Sequence, residues 1–138
     1  MRTGACVRLA ASAAVLVAVV VALRGAVSHE PKILHFERLA YPLSAKVRAI
    51  QGLVVAEALV SPEGRIENAE VLSGPEALRG DTIASLKRWI FASSSPGKII
   101  VVYWFRVSGL CEAPCPSGFE FYPPNFVIVT TGTMTVMP

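Results

Sequence analysis

The chain has 138 residues, 53% of them apolar, and a formal net charge of +3. This length fits one ordinary domain. Three of the 13 basic side chains, Arg2, Arg8 and Arg24, flank the first apolar run, which leaves ten basic against ten acidic side chains. Because the rest of the chain is neutral and does not interleave basic with aromatic residues, we expect no nucleic-acid partner.

The N-terminal segment, residues 1–28, has the composition of a signal peptide or an N-terminal membrane anchor. Its apolar run, residues 9–23, follows a short basic region and precedes Arg24. Fifteen helical residues span about 22 Å, less than the ~30 Å hydrocarbon core, which favours a signal peptide. Cleavage after Ser28 and retention of the segment both remain open. Either form sends everything after Arg24 across the membrane.

A linker, a short helix and a first strand follow the leader in chain order. Residues 29–40 are polar and predict the linker. Pro42 suits the first turn of a helix, which we expect at residues 43–49. Residues 53–60 carry apolar side chains at alternate positions, and this period of two predicts a strand with one buried face.

A β-hairpin is predicted to connect this strand to the next. Residues 61–64 have the sequence SPEG, which places proline and glycine where a type I turn prefers them. The second strand, residues 65–72, alternates as well, but its first apolar residue is out of phase by one. This shift predicts a β-bulge near Glu67 or Asn68.

A second helix and a third strand complete the predicted domain. Residues 78–89 repeat apolar side chains at helical spacing, and we expect Trp89 in the core rather than in a binding groove. Residues 99–107 are apolar on both faces, so a single helix layer cannot cover every side chain. The remainder, residues 108–138, is a tail that contains prolines and cysteines. Its candidate strand, residues 126–136, is expected to pair along the edge of the third strand, and a disordered or separately placed tail is the alternative.

The sequence lacks the patterns of a catalytic or metal site. Both histidines, His29 and His35, lie in the predicted linker, far from a nucleophile or from metal-ligand spacing. We therefore expect no enzyme activity, no metal and no cofactor. Cys6 lies in the leader, which leaves Cys111 and Cys115. In an oxidising compartment these two can close a small disulfide loop, and two free thiols are the alternative.

An ordered set of short motifs runs through residues 41–107. The set comprises Tyr41-Pro42, Ile50-Gln51-Gly52, Pro62-Glu63-Gly64-Arg65-Ile66, Val71-Leu72-Ser73, Lys87-Arg88-Trp89-Ile90-Phe91 and Pro96-Gly97-Lys98. No single motif is specific, but together they resemble the C-terminal domain of the TonB family. The resemblance implies an α+β fold in which two helices pack on a three-stranded antiparallel sheet, and the tail adds a candidate C-terminal strand.

The resemblance also implies a mode of binding. In the TonB family the domain holds a short extended segment of an outer-membrane receptor by adding it as a strand to the sheet edge, where backbone hydrogen bonds supply affinity. The corresponding partner-binding edge here carries Ile100, Val102, Trp104 and Arg106. The expected partner is therefore a protein or an extended peptide, and a homodimer is a further candidate. Membrane contact is expected only through the N-terminal segment.

Two functional hypotheses follow from the resemblance. The first is a periplasmic TonB-like protein-binding domain that acts as an energy transducer or accessory component of outer-membrane transport. The second is a stand-alone interaction or dimerisation module without motor coupling. The membrane helix of the family has a serine and, four positions later, a histidine that couple it to a proton-driven motor, whereas Ser12 is followed at that spacing by Leu16. Residues 24–40 also form a short tether, which spans at most ~60 Å.

Overall fold

The computed structural model describes residues 30–93, 97–112 and 115–134. These residues contain two helices, α1 (Leu43–Val47) and α2 (Glu76–Leu86). They also contain seven strands: β1 (Ile33–His35), β2 (Gly52–Val60), β3 (Ile66–Ser73), β4 (Ile90–Phe91), β5 (Gly97–Cys111), β6 (Gly118–Tyr122) and β7 (Phe126–Met134). Neither described helix is long and apolar enough to cross a membrane. The predicted leader, residues 1–28, lies outside the described residues.

The main sheet has five strands in the order β3-β2-β5-β7-β6, and β1 and β4 form a separate two-stranded ladder. The α+β architecture is confirmed, and the three predicted strands form the antiparallel unit β3-β2-β5. The prediction of a three-stranded sheet is nevertheless wrong in the number of strands, because the sheet has five. Two strands of the tail extend the sheet, because the second edge of β5 is long and apolar and pairs with β7.

The tail joins the sheet as a hairpin whose second strand lies inside. After β5 the chain crosses to the outer position, forms β6, and returns as β7 between β6 and β5. As a result β7 runs parallel to β5 and antiparallel to β6. The expected pairing of the tail with the third strand is thus present in the structure, over residues 126–134.

The core lies between one face of this sheet and the two helices. Alternate side chains of β2, β5 and β7 point to this face and are fully buried, as the period of two predicts. They are Val54, Ala56, Ala58, Val101, Tyr103, Phe105, Val127 and Val129. From the helices, α2 contributes Leu78 and Leu86 and α1 contributes Ala45. The opposite alternate positions make up the second face, which is described below.

The predicted hairpin between β2 and β3 forms with the expected turn and bulge. The Gly64 N–H donates to the Ser61 carbonyl at 2.9 Å, as a type I turn requires. Gly64 has a φ of +84°, and a Cβ at this position would collide with the Phe91 carbonyl oxygen. The register skips Glu67, because Leu59 pairs with residue 68 and the next residue along β2 pairs with residue 66. The bulge therefore lies at one of the two predicted positions.

The second helix ends earlier than its sequence pattern predicts. It stops at Leu86, so that Trp89 lies beyond the helix instead of in its last turn. The Trp89 side chain is nevertheless fully buried, as expected. Its ring packs against Phe121 of the tail with ring centroids 5.6 Å apart and against Tyr103 at 6.2 Å. The next residues, Ile90 and Phe91, form β4, which pairs with β1.

Candidate functional site

The four predicted edge residues lie on one face of β5, but the edge of that strand is occupied. Ile100, Val102, Trp104 and Arg106 alternate with the buried residues and point away from the helices. Val102 pairs with Phe126 of β7, and the next two residues of the set also pair with β7. The structure therefore brings the four side chains together on a surface, and it places β5 in the interior of the sheet.

Strand β7 is held in this position by burial and by hydrogen bonds. Val127 and Val129 are fully buried in the core. At the start of the strand, the Asn125 carbonyl accepts a hydrogen bond from the Val102 N–H at 2.9 Å. The Asn125 side-chain amide donates to the Ile100 carbonyl at 2.8 Å. The last strand is consequently an integral part of the sheet.

The free edges of the sheet belong to its outer strands, β3 and β6. The backbone edge of Gly118–Tyr122, here called the β6 edge, lies beside a cluster of aromatic side chains. Phe36 packs against Phe119 and Phe121 with ring centroids 5.7 and 4.9 Å away. The Arg38 guanidinium lies over the Phe119 ring at 6.0 Å from its centroid. This edge therefore combines unpaired backbone with an aromatic wall and an exposed cation.

The β3 edge has a different chemistry. Residue Arg65, directly before β3, forms a bridge with Ile90, so β4 covers the beginning of this edge. Farther along, Glu67 and Glu70 are exposed and place negative charge along the strand. Charged side chains of this kind discourage the addition of another strand. The β6 edge is thus the more accessible of the two.

The second face of the sheet, here called the open face, is apolar and partly exposed. Leu53 is 53% exposed, and Ile100 and Trp104 are each 37% exposed. Cross-strand pairing places neighbouring apolar side chains around these three, namely Val55, Leu59, Val102, Phe126, Ile128 and Tyr122. Both described helices contribute their buried side chains to the opposite face. In the described part of the chain, no element packs over the open face.

Charged side chains surround the apolar centre of the open face. At one end the Lys98 ammonium lies 3.0 Å from Glu57, which stands directly opposite Glu70 on the neighbouring strand. At the other end the Arg106 guanidinium stacks over the Trp104 ring, 4.4 Å from its centroid. An apolar centre with a polar rim is the usual composition of a protein–protein interface.

Tyr122 and Glu120 form a polar pair at the outer strand of the same face. The Tyr122 hydroxyl donates to the Glu120 carboxylate at 2.6 Å. This hydrogen bond and the negative charge of the carboxylate raise the pKa of Tyr122. On the core side of the sheet, burial raises the pKa of Tyr103, whose hydroxyl has no hydrogen-bond partner among the described residues. Both tyrosines therefore stay neutral at physiological pH.

Within the described ranges no three metal-ligating side chains come together. The two histidines do not share a site there either, because His29 lies outside the described residues and His35 is exposed on β1. His35 has Glu37 as its neighbour, at 3.7 Å. This pair lies on the protein surface.

The sulfur atoms of Cys111 and Cys115 are joined in the structure, and their Cα atoms lie 5.6 Å apart. The connection after β5 is also attached to α1. The Lys46 ammonium donates to the Cys115 carbonyl at 2.6 Å, and the Tyr41 N–H donates to the Ser117 hydroxyl at 3.0 Å. We propose that the native protein forms this disulfide and that it fixes the start of the β6–β7 hairpin against the helix.

Removal of the disulfide should destabilise the domain measurably. The variant with Cys111→Ser and Cys115→Ser is expected to lose about 2 kcal/mol of unfolding free energy, because the bond closes a loop of only five residues in the unfolded chain. Chemical denaturation with and without dithiothreitol provides the measurement. The reductant should destabilise the original chain and leave the double variant unchanged. Equal stability of all four samples would show that the thiols are free.

The β6 edge and the full extent of the open face were not predicted from the sequence. Residues 118–122 do alternate, with Phe119 and Phe121 on one side and Glu120 and Tyr122 on the other. This period of two is a strand signal. It is short and lies between prolines, and so the tail was predicted to contain a single strand.

Comparison with known proteins identifies the family. The family model described as the Gram-negative bacterial TonB protein C-terminal matches residues 37–107. Protein TonB of Escherichia coli (strain K12) is 30% identical over 89 residues, a match that covers 62% of this chain and 37% of that protein. Protein TonB of Klebsiella pneumoniae is 31% identical over 74 residues, which covers 51% of this chain and 30% of that protein.

The matched segment includes α1, the hairpin β2–β3, α2 and most of β5. This chain spans about a third of the length of the two curated relatives. The tail that forms β6 and β7 lies beyond the family match. Because the match takes in just over half of the chain and the structural unit that its motifs predict, this protein belongs to the TonB C-terminal family.

Proposed function

We propose that this protein binds polypeptide in the periplasm and acts as a TonB-like component of transport across the outer membrane. Its N-terminal segment delivers or anchors it at the inner membrane, as the basic and apolar pattern of residues 1–28 predicts. Membership of the family supports this role. The binding mode is β-strand addition, in which an extended segment of the partner pairs with a free edge of the sheet.

The observation that carries the binding mode is the position of β7. An incoming strand can reach β5 only if β7 leaves, which exposes Val127 and Val129 to water. Exposing a fully buried valine costs about 1.5 to 3 kcal/mol. The loss of the backbone pairing adds to this cost. Addition to the β6 edge requires no such displacement. The binding edge therefore lies on β6, two strands beyond β5.

The chemistry of the β6 edge suggests which segment it binds. A strand that pairs with β6 would direct alternate side chains towards Phe36 and Arg38 on the helix side. The other side chains would lie next to Tyr122 on the open face. We therefore expect an extended segment with alternating apolar residues and an acidic residue near Arg38. Backbone hydrogen bonds supply most of the affinity, and these two contacts supply selectivity.

Coupling to a proton-driven motor is not part of this proposal. Leu16 occupies the position at which the resemblance requires a histidine, and the apolar run has no ionisable side chain with which to bind a proton. This observation favours an accessory component of transport over an energy transducer, and the stand-alone interaction or dimerisation module is the alternative. Both hypotheses share the β6 edge as the binding site, so the site can be tested independently of energy transduction.

A photo-reactive amino acid at position 38 should capture the partner. We expect p-benzoylphenylalanine in place of Arg38 to form an adduct with another envelope protein, because this side chain lies beside the β6 edge. The same amino acid in place of Glu67, on the β3 edge, is the matched control and should give no such adduct. Mass spectrometry identifies the cross-linked segment. Equal adducts from both positions would contradict binding at β6.

Amide hydrogen exchange distinguishes edge addition from displacement. With the captured segment added as a synthetic peptide, the amides of residues 118–122 should exchange more slowly, and those of β7 should remain protected. Faster exchange in β7 would show that the peptide replaces this strand and pairs with β5. That result would overturn the proposed edge, even if the partner itself is correct.

A further inference from the structure

We propose that the open face binds a second copy of this chain and forms a two-fold dimer in which two sheets pack face to face. This inference goes beyond strand addition, because it uses the face of the sheet and leaves the β6 edge free. The exposed apolar side chains extend over β2, β5, β7 and β6. A face-to-face arrangement would make a β-sandwich, in which apolar side chains of two sheets fill the space between them.

The size of the open face fits such a contact. Five strands about 4.8 Å apart, followed over roughly eight residue steps of about 3.4 Å, give a projected area of roughly 650 Å². A standard interface buries about 800 Å² on each partner. The whole face, apolar centre and charged rim together, therefore approaches the size of one side of a dimer interface.

The charges on the open face select one of the two in-plane two-fold axes. An axis parallel to β5 would place Arg106 of one copy over Arg106 of the other, which is repulsive. An axis perpendicular to β5, passing between Val102 and Trp104, exchanges the two ends of the face. It places Arg106 of one copy over Ile100 of the other copy. The neighbour of that Ile100 on β2 is Glu57. That end of the face carries Glu57 and Glu70 against Lys98, an excess of one negative charge, so the arginine of the second copy is attracted to it.

The same arrangement relieves a repulsion within each copy. Glu57 and Glu70 stand directly opposite each other on β2 and β3, and like charges in this position are destabilising. Lys98 pairs with Glu57, while the described residues offer Glu70 no cation within salt-bridge distance. Arg106 of the second copy would supply a further positive charge at this end of the face. Burial of the apolar centre thus stabilises the dimer, and the charged side chains of the rim determine how the two copies are oriented.

A lipid surface fits the open face less well. The face carries three carboxylates, Glu57, Glu70 and Glu120, against two cations, Lys98 and Arg106. An anionic membrane surface attracts clusters of basic residues and repels a face with excess negative charge. A second copy matches the mixed charges because the two-fold axis brings opposite ends together.

Photo-cross-linking in the full-length chain tests the dimer. We expect p-benzoylphenylalanine at position 53 to form an ultraviolet-dependent adduct of two chains, because the perpendicular axis places Leu53 opposite Val55 of the second copy. The same amino acid at position 43, an exposed site on α1, is the control and should give no such adduct. Adducts of two chains in equal yield from both positions, or adducts from position 53 with lipid or another protein, would overturn the proposal.

Charge reversal tests the orientation. With the cross-linker at position 53, Arg106→Glu should lower the yield of the two-chain adduct at least fivefold. Adding Glu57→Arg to this variant should restore the yield to within twofold of the original. An unchanged yield in the first variant, or no recovery in the second, would overturn the assigned axis. Thermal melting by circular dichroism shows whether each variant is folded. If Arg106→Glu unfolds the chain, Ile100→Lys, on the same exposed face, should give the same loss of adduct.

Discussion

Replacement of Trp89 by alanine is expected to lower the free energy of unfolding by about 3 to 5 kcal/mol, the range observed when a large core side chain is truncated. The ring is fully buried and lies against four other aromatic rings, those of Phe36, Phe91, Tyr103 and Phe121. These contacts connect the end of α2 to both β5 and β6. The change therefore leaves a cavity where the helix layer, the family domain and the tail meet.

The second tryptophan provides a matched control for this prediction. Trp104 is 37% exposed on the open face, and Trp104→Ala should cost less than about 1.5 kcal/mol in a dilute sample. Urea denaturation followed by far-ultraviolet circular dichroism measures both variants without depending on tryptophan fluorescence. Unchanged stability in Trp89→Ala would place its ring at the surface. Equal losses in the two variants would mean that burial does not distinguish the two positions.

The sequence predicted the parts of the fold that depend on neighbouring residues. The SPEG turn and the bulge near Glu67 follow from local turn chemistry and from the phase of alternation, and both are present. The buried face of β2 follows from its period of two in the same way. The motif set across residues 41–107 added the order of the elements. The turn, the bulge and the buried face of β2 are each determined by a few neighbouring residues, and they can therefore be predicted from a single sequence.

The parts that were missed depend on contacts between distant residues. Helix α2 ends at Leu86, and beyond it Trp89 packs against Phe121, which lies 32 positions later in the chain. Pairing with the third strand was expected for the tail, but its parallel direction and the additional strand β6 were not. A parallel neighbour requires the chain to cross the sheet before it pairs, and no local pattern specifies this path.

The candidate site was predicted in part for the same reason. Ile100, Val102, Trp104 and Arg106 do share one side of β5, as alternation requires. Their use as a free edge came from the resemblance, which ends at residue 107 and carries no information about the tail. Once β7 pairs with β5, these side chains belong to a face instead of an edge. The structure thus shows two separate surfaces. The free edge lies on β6, and the four predicted residues belong to the open face.

A carboxylate introduced at Val129 should destabilise the domain strongly, whereas one at the next residue should be tolerated. Val129 is fully buried on the core side of β7. Val129→Asp is expected to cost at least about 4 kcal/mol, because the core around this position is apolar and would bury an unpaired charge. Small domains are stable by only about 5 to 15 kcal/mol. A loss of this size would therefore remove a large share of the domain's stability and lower its urea midpoint.

The matched variant is Thr130→Asp, which places a carboxylate on the opposite face of the same strand. Thr130 pairs with Arg106 of β5, so the new charge gains a cation as its neighbour. Its stability should stay within about 1 kcal/mol of the original, as expected for a surface substitution. Urea titration of both variants gives the comparison. Similar stability in the two variants would indicate that β7 leaves the sheet readily, and an incoming partner strand could then pair with β5. A large difference would mean that the tail keeps β5 covered and that strand addition must use β6.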